Sequence, residues 1–274
     1  MTPVLEAKRL SIVLGRSEIL QEVDFIAEQG QVHCLLGDNG AGKSTLIKIL
    51  SGVLRPSAGE ILVDGVSISF ASPRQALDAG IGTVHQDAGA IPLMSVSRNF
   101  FLGEEPRRGR WPFKRIDFAA ADAVALRTVQ MMGLSRINDP KQLVGTMSGG
   151  ERQALGMGRA LHFGARVLIL DEPTSSLGVK EVGIVLRMVN QARDSGVAVI
   201  FITHNATHAL SVGDRFTVLI QGKVAASFGR NEKTHEEVIS LMAGGEELEA
   251  LQADLERQST DGDHPVSPGE IVEL

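Results

Sequence analysis

The 274-residue sequence predicts an α/β fold with N-terminal antiparallel β-strands and an inserted helical subdomain. Three observations carry that prediction. Gly37-Asp38-Asn39-Gly40-Ala41-Gly42-Lys43-Ser44 has the spacing G-x-x-x-x-G-K-S/T and stands between a strand-like apolar run and a helix-like one. A second apolar run, Val167 to Leu170, ends in the acidic pair Asp171-Glu172. Between Gln86 and Ser148 the pattern turns helical.

In chain order, the alternating apolar pattern from Val4 to about Ala27 reads as β-strands ahead of the glycine loop. Val32-His33-Cys34-Leu35-Leu36 reads as the buried strand that enters it, and Thr45 to Leu50 as the helix that leaves it. A phosphate-binding loop needs this context: glycines let successive N–H groups turn around an anion, and the helix N-terminus adds partial positive charge. Lys43 is then expected on the β- and γ-phosphates and the Ser44 hydroxyl on Mg2+. Glu60 to Gly65 adds a strand and turn, and Ile81 to His85 a strand that ends at Gln86. Asp117 is placed to cap a helix from Phe118 to Met132, which Gly133 ends.

Ser148-Gly149-Gly150 opens a segment through Leu161 with the composition of a helix and small positions for close packing. Its N-terminus would offer free N–H groups and a hydroxyl, a second anion site. The run Val167 to Leu170 delivers Asp171 to the carboxyl edge of the sheet, where ligands bind in open α/β folds. Asp171 is read as part of the Mg2+ shell, and Glu172 as the group that orients a water for in-line attack on the γ-phosphate. Two phosphate sites with only one glycine loop imply assembly in pairs.

These strings, together with Phe201-Ile202-Thr203-His204-Asn205, appear in the order found in ATP-binding cassettes, and the sequence resembles the ATPase subunits of ABC transporters from roughly Val4 to Gly244. The resemblance implies that residues Gly37 to Thr45 cradle ATP and that Ser148, Gly149 and Gly150 of one subunit close on ATP held by the other. It implies that Gln86 touches Mg2+ and the attacking water, and that His204 contacts the γ-phosphate. The division it implies is a nucleotide-binding core at 1–90 and 160–244, a helical signature subdomain at 91–159, and a tail at 245–274. The implied partners are a second cassette in a homodimer, integral permease subunits and, indirectly, an extracytoplasmic solute-binding protein. A permease helix would dock on the helical region, with Ile91-Pro92-Leu93-Met94 and Asn99-Phe100-Phe101-Leu102-Gly103 as the exposed candidates.

Three positions depart from the family pattern. Gly178 replaces the aspartate usual after Ser175-Ser176-Leu177, Glu151 follows Ser-Gly-Gly in place of glutamine, and Leu14 stands where an adenine-stacking aromatic is expected. The stretch Leu177 to Glu181 resembles single-cassette monosaccharide importers, which makes a monosaccharide or related polyol the expected cargo. The rivals are an exporter subunit, a regulatory cassette with little turnover, and a soluble cassette protein. Lys43, Gln86, Glu172 and His204 argue for turnover, and one set of motifs without a long coiled-coil insertion argues against the soluble class.

Composition fits this reading. The net charge of -6 comes from the tail, where nine acidic residues stand against Arg257 after Gly244, and the near-neutral body lacks the basic footprint of a nucleic-acid binder. The longest wholly apolar stretch, Val197 to Ile202, is a strand's length, so no segment is expected to span a bilayer and the chain is expected to stay in the cytoplasm, where the resemblance implies a peripheral place on the membrane through the permease subunits. Cys34, the single cysteine, excludes an internal disulfide and reads as a small buried hydrophobe. Histidines other than His204 read as ordinary core or surface residues. In the tail, Leu248, Leu251 and Leu255 suggest a short helix stripe, and Ser259 to Gly269 suggest disorder. The basic stretch Arg107 to Arg115 around Trp111 reads as a loop insertion facing solvent, with membrane headgroups as the other face it could meet.

Overall fold

The structure is a computed structural model that describes residues 3–86, 89–110, 113–134 and 136–244. Trp111 and the acidic tail lie outside the described residues. Two long strands, β1 (Pro3–Leu14) and β2 (Ser17–Glu28), pair antiparallel and precede β3 (Val32–Leu36) and α1 (Lys43–Leu50). Next come β4 (Ala58–Val63), β5 (Val66–Ile68), α2 (Pro73–Asp78), β6 (Ile81–Val84) and α3 (Val96–Phe100). A small hairpin, β7 (Arg107–Arg108) and β8 (Arg115–Ile116), leads into α4 (Phe118–Met131) and then α5 (Gly149–His162). The chain closes with β9 (Val167–Asp171), α6 (Val179–Asp194), β10 (Ala198–Ile202), α7 (Ala206–Val212), β11 (Arg215–Ile220), β12 (Lys223–Gly229) and α8 (His235–Met242).

The strands form an antiparallel sheet in the order β2-β1-β4-β5 and a six-stranded sheet in the order β12-β11-β3-β10-β9-β6. In the larger sheet all neighbours are parallel except β11 and β12. Both faces of its central strands are covered, so β3 and β10 are buried throughout and read as unbroken apolar runs. Side chains alternate between two cores. Leu168, Leu170, Val199 and Phe201 point into the helical core with α3 to α8, while Val167, Ile169, Ile200 and Ile202 join α1 and the antiparallel sheet. This sandwich fixes the carboxyl ends of β3, β6, β9 and β10 along one edge, and every expected catalytic residue follows one of those ends.

Local sequence sets the helix ends. Asp117 caps α4 by accepting from the Ala120 N–H at 3.1 Å, and Gly133 takes a φ of 80° beyond its C-terminus. Ser148 and Glu151 form a reciprocal capping box on α5. Cys34 is fully buried against the Ala209 carbonyl at 3.6 Å, and burial pushes its thiol pKa up. No helix among the described residues is long and apolar enough to cross a membrane.

One expectation is corrected. Asn99, Phe100 and Phe101 are core residues rather than docking candidates. The two rings pack against His162 and Phe163, and the Asn99 amide donates to the carbonyls of Ile91, Met94 and Ser95, so the short α3 turns these residues inward to tie down the preceding loop. Leu93, by contrast, is 85% exposed.

Candidate functional site

The glycine loop leaves β3 with geometry that only glycine satisfies at two points. Gly37 has a φ of 144°, and a Cβ there would lie 2.3 Å from the Leu219 carbonyl oxygen; Gly42, at φ 102°, would meet Leu20 Cδ2 at 2.7 Å. Gly42 caps α1 without a side chain, and its carbonyl accepts from Thr45 and Leu46 at 3.1 and 3.0 Å. The Asp38 carboxylate accepts from the Asn39 N–H at 2.7 Å, and the Asp38 carbonyl accepts from Ala41 at 3.2 Å. Within this turn Lys43 is 7% exposed and donates to the carbonyls of Gly37 at 2.7 Å and Asp38 at 3.0 Å. Burial lowers its pKa, opposed by the nearby charges of Glu172, Asp38 and Asp171. Ser44 is exposed on the first turn of α1, beside the half-buried Thr45.

The acidic pair sits at the end of β9, with Glu172 held at a φ of 49°. Its backbone N–H donates to the Ile202 carbonyl at 3.1 Å, which ties this turn to the end of β10. His204, two residues beyond β10, lies with Nδ1 2.9 Å from Glu172 Oε1. Glu172 Oε2 is buried and has no hydrogen-bond partner among the described residues. A buried carboxylate oxygen without a partner is costly, and Oε2 is closed to a water-sized molecule, so it can take a partner only after the surrounding groups move. Burial raises the pKa of Asp171, and His85, 3.8 Å from Asp171 Oδ2, is the first group to oppose that shift.

Gln86 follows β6, and its amide reaches Ser175 Oγ at 3.4 Å. The backbone carbonyl of Gln86 in turn accepts from Gln153 Nε2 of α5, so the Ser-Gly-Gly helix holds the Gln86 turn directly. Ser148 caps α5, but the N-terminus is not bare: the Gly149 N–H donates to Glu181 Oε1 and the Gly178 N–H to Glu181 Oε2, both at 3.0 Å. Backbone donors, Gly178 first, hold the Glu181 carboxyl below the usual range. Gly150 is glycine because a Cβ would stand 2.9 Å from the Glu181 carbonyl oxygen. α5 and α6 therefore meet backbone to backbone.

The structure brings Lys43, Asp171, Glu172 and His204 into one charged cluster at the sheet edge, with Gln86 across from Ser175. Ser148, Gly149 and Gly150 form a separate helix end packed against α6, where the Gly149 N–H meets the Glu181 carboxylate. Oxygen donors on Ser44, Gln86 and Asp171 are the hard, mixed-charge set that suits Mg2+ completed by phosphate oxygens and water. Two adjacent carboxylates, one of them desolvated, also fit a cation at this edge. Sequence reasoning missed His85, Gln153, His208 and Glu181. His208 Nδ1 lies 3.0 Å from Thr174 Oγ1 and so links α7 to the turn after Glu172. Only Glu181 carried a local signal, as the third residue of a helix begun at Gly178.

The family profile described as ABC transporter matches residues 20–175. A fructose import ATP-binding protein of Rhizobium meliloti is 38% identical over 249 residues, covering 89% of this chain and 95% of that protein. A ribose import ATP-binding protein of Rubrobacter xylanophilus is 37% identical over 276 residues, covering 99% of this chain but 51% of its own length. The chain thus spans nearly all of the first relative and about half of the second. Among solved structures, a nucleotide-free ATP-binding cassette from an ABC transporter superposes with a TM-score of 0.74 at 23% identity, covering 86% of this chain and 94% of that one.

Proposed function

The chain belongs to the ABC transporter family, and on that premise we propose that it is the ATP-hydrolysing subunit of an importer for a monosaccharide or related polyol. The import part of the reading rests on relatives named for fructose and ribose import. The hydrolytic part rests on one observation above the others: Glu172 has one oxygen held by His204 and the other buried and unpartnered. Once Lys43 leaves the loop carbonyls and the pocket opens around nucleotide, that oxygen becomes the acceptor for the water that attacks the γ-phosphate. As the water oxygen bonds to phosphorus, its proton moves toward Glu172 and ADP departs.

In this reading residues Gly37 to Thr45 wrap the phosphates with backbone N–H groups, and Lys43 leaves the carbonyls of Gly37 and Asp38 for phosphate oxygens. Bound Mg2+ would offset the charge of those oxygens, and Ser44, Gln86 and Asp171 are the residues that would hold it. Gln86 reports on the site through Gln153 of α5. His204 orients the Glu172 carboxylate and faces the γ-phosphate. Ser148, Gly149 and Gly150 receive the γ-phosphate of a second cassette, so the working unit is a homodimer with two composite sites.

The same reading places the subunit on the cytoplasmic face of the cell membrane through integral permease subunits. The helical subdomain, 91–159, would move against the core, 1–90 and 160–244. A cleft of about 470 Å³ between α2, β6 and α5, with Arg74, Leu77, Glu104, Arg159 and Phe163 on its walls, is the supported place for a permease segment. An extracytoplasmic solute-binding protein would act only through the permease. The near-neutral body supports no nucleic-acid role.

Glu172→Gln tests the hydrolytic assignment. It keeps size and hydrogen bonding but removes the charge, so MgATP binding persists while hydrolysis falls by on the order of 10² or more. Turnover near that of the parent, assayed with the permease, would remove Glu172 from this role.

A further inference from the structure

Between Pro106 and Asp117 the chain carries Arg107, Arg108, Arg110, Lys114 and Arg115 and no acidic residue. The structure pairs Arg107–Arg108 of β7 with Arg115–Ile116 of β8 and sets Arg108 directly across from Arg115. Like charges at facing strand positions repel. No carboxylate lies within 4.0 Å of any of the five among the described residues. Apolar side chains share the exposure: Phe113 is 81% exposed, Phe118 53% and Ile116 39%. The base of the hairpin is fixed all the same, because the Asp117 N–H donates to the Pro106 carbonyl at 2.7 Å. The chain thus holds an anchored element that presents five solvent-exposed cations, Arg107 among them beside Glu105, together with the exposed ring of Phe113.

The hairpin starts three residues after Glu104, which lines the cleft assigned above to the permease and is tied to Arg74 at 2.6 Å. We propose that the hairpin is a second attachment, one that binds the headgroups of anionic phospholipids at the bilayer surface beside the permease. The inference rests on the permease reading only for the direction in which the hairpin faces. An anionic surface relieves the Arg108–Arg115 repulsion, meets the neighbouring cations together and accepts Phe113 at headgroup level. The chain as a whole is acidic, at -6, so bulk charge opposes the encounter and any affinity for such a surface is local.

The test is flotation of the full chain with vesicles of phosphatidylglycerol and phosphatidylcholine at about 1:2, against phosphatidylcholine alone, with no permease present. The chain is expected to float with the anionic vesicles at low salt only. The triple variant R108E/K114E/R115E is expected to lower the partition coefficient on the order of 10²-fold. Phe113→Ala is expected to weaken binding several-fold with the charge intact. MgATP affinity serves as the folding check, since none of these residues touches the nucleotide site. Absence of binding, binding unchanged by charge reversal, or complete competition by millimolar inorganic phosphate would each overturn the inference. So would a triple variant that keeps vesicle binding but loses co-purification with the permease, because the hairpin's partner would then be protein. A chain that binds vesicles but never the permease sinks the permease reading and leaves lipid binding standing.

Discussion

At the N-terminus of α1, Lys43 folds over the glycine loop and donates to two carbonyls of that loop, whereas at the N-terminus of α5 the Glu181 carboxylate accepts from Gly149, its other oxygen accepting from Gly178 at the start of α6. Both ends are anion sites by helix physics. The first is closed by a cation resting on neutral acceptors, so an arriving phosphate replaces a weaker partner with a stronger one. The second is closed by an anion, so an arriving phosphate meets like charge and a backbone donor already in use. On the function proposed above, the α1 end would set how tightly one chain takes nucleotide, and the α5 end how readily two chains close around it.

Removing the cation is the largest expected change. Lys43→Ala takes away a charged donor to phosphate, a contribution of roughly 1.5–3 kcal/mol, and should weaken MgATP binding by about 10- to 150-fold. Calorimetric titration reads this directly. An affinity within threefold of the parent would break the comparison at its first term, since the loop's N–H groups alone would then carry the phosphates.

The two ends were unequally legible in the sequence. The glycine loop is local: an apolar strand, a spacing and a helix lie within 20 residues, and the structure places β3 and α1 where those residues put them. The acidic pair was legible for the same reason, as was the Asp117 cap of α4. The α5 end was only half legible. Ser148-Gly149-Gly150 announces a helix start, but the carboxylate that fills it comes from 32 positions away and depends on how α6 crosses α5. Distance in sequence hid the other contacts as well. Nothing local says that His85 stands beside Asp171 or that Gln153 holds the Gln86 turn. For Phe100 and Phe101 the error was one of facing: an aromatic pair on a short helix looks alike whether it meets a partner or its own core, and here His162 and Phe163 had already claimed it.

Glu181→Gln addresses the second term. The amide keeps one acceptor for Gly178 or Gly149 but removes the charge from the α5 end. Charge at a helix N-terminus contributes ~0.3–1 kcal/mol. Two composite sites at about 0.7 kcal/mol each should tighten the ATP-bound homodimer about tenfold, with nucleotide affinity of the single chain unchanged. Light scattering with MgATP in a Glu172→Gln background measures the pairing. Looser pairing would mean that Glu181 supports the α5 end for closure instead of opposing it, and the contrast between the two ends would have to be reversed.

The smallest effect concerns how far the first end acts alone. Leu14, at the tip of β1, is 44% exposed and offers no π-face at the position where the family resemblance expects an adenine-stacking aromatic. If phosphate contacts carry the affinity unaided, the native chain should discriminate poorly between ATP and GTP. Leu14→Tyr would then add a stacking surface, for which base–aromatic contacts elsewhere suggest roughly 1–3 kcal/mol. An exposed strand tip recovers the lower part of that range, so ATP should bind a few-fold tighter, to a ceiling of about tenfold. Titration of both proteins with ATP and GTP decides it. Strong adenine selectivity in the native chain that the tyrosine leaves unchanged would show that Leu14 does not face the base, and that the α1 end shares its affinity with another surface.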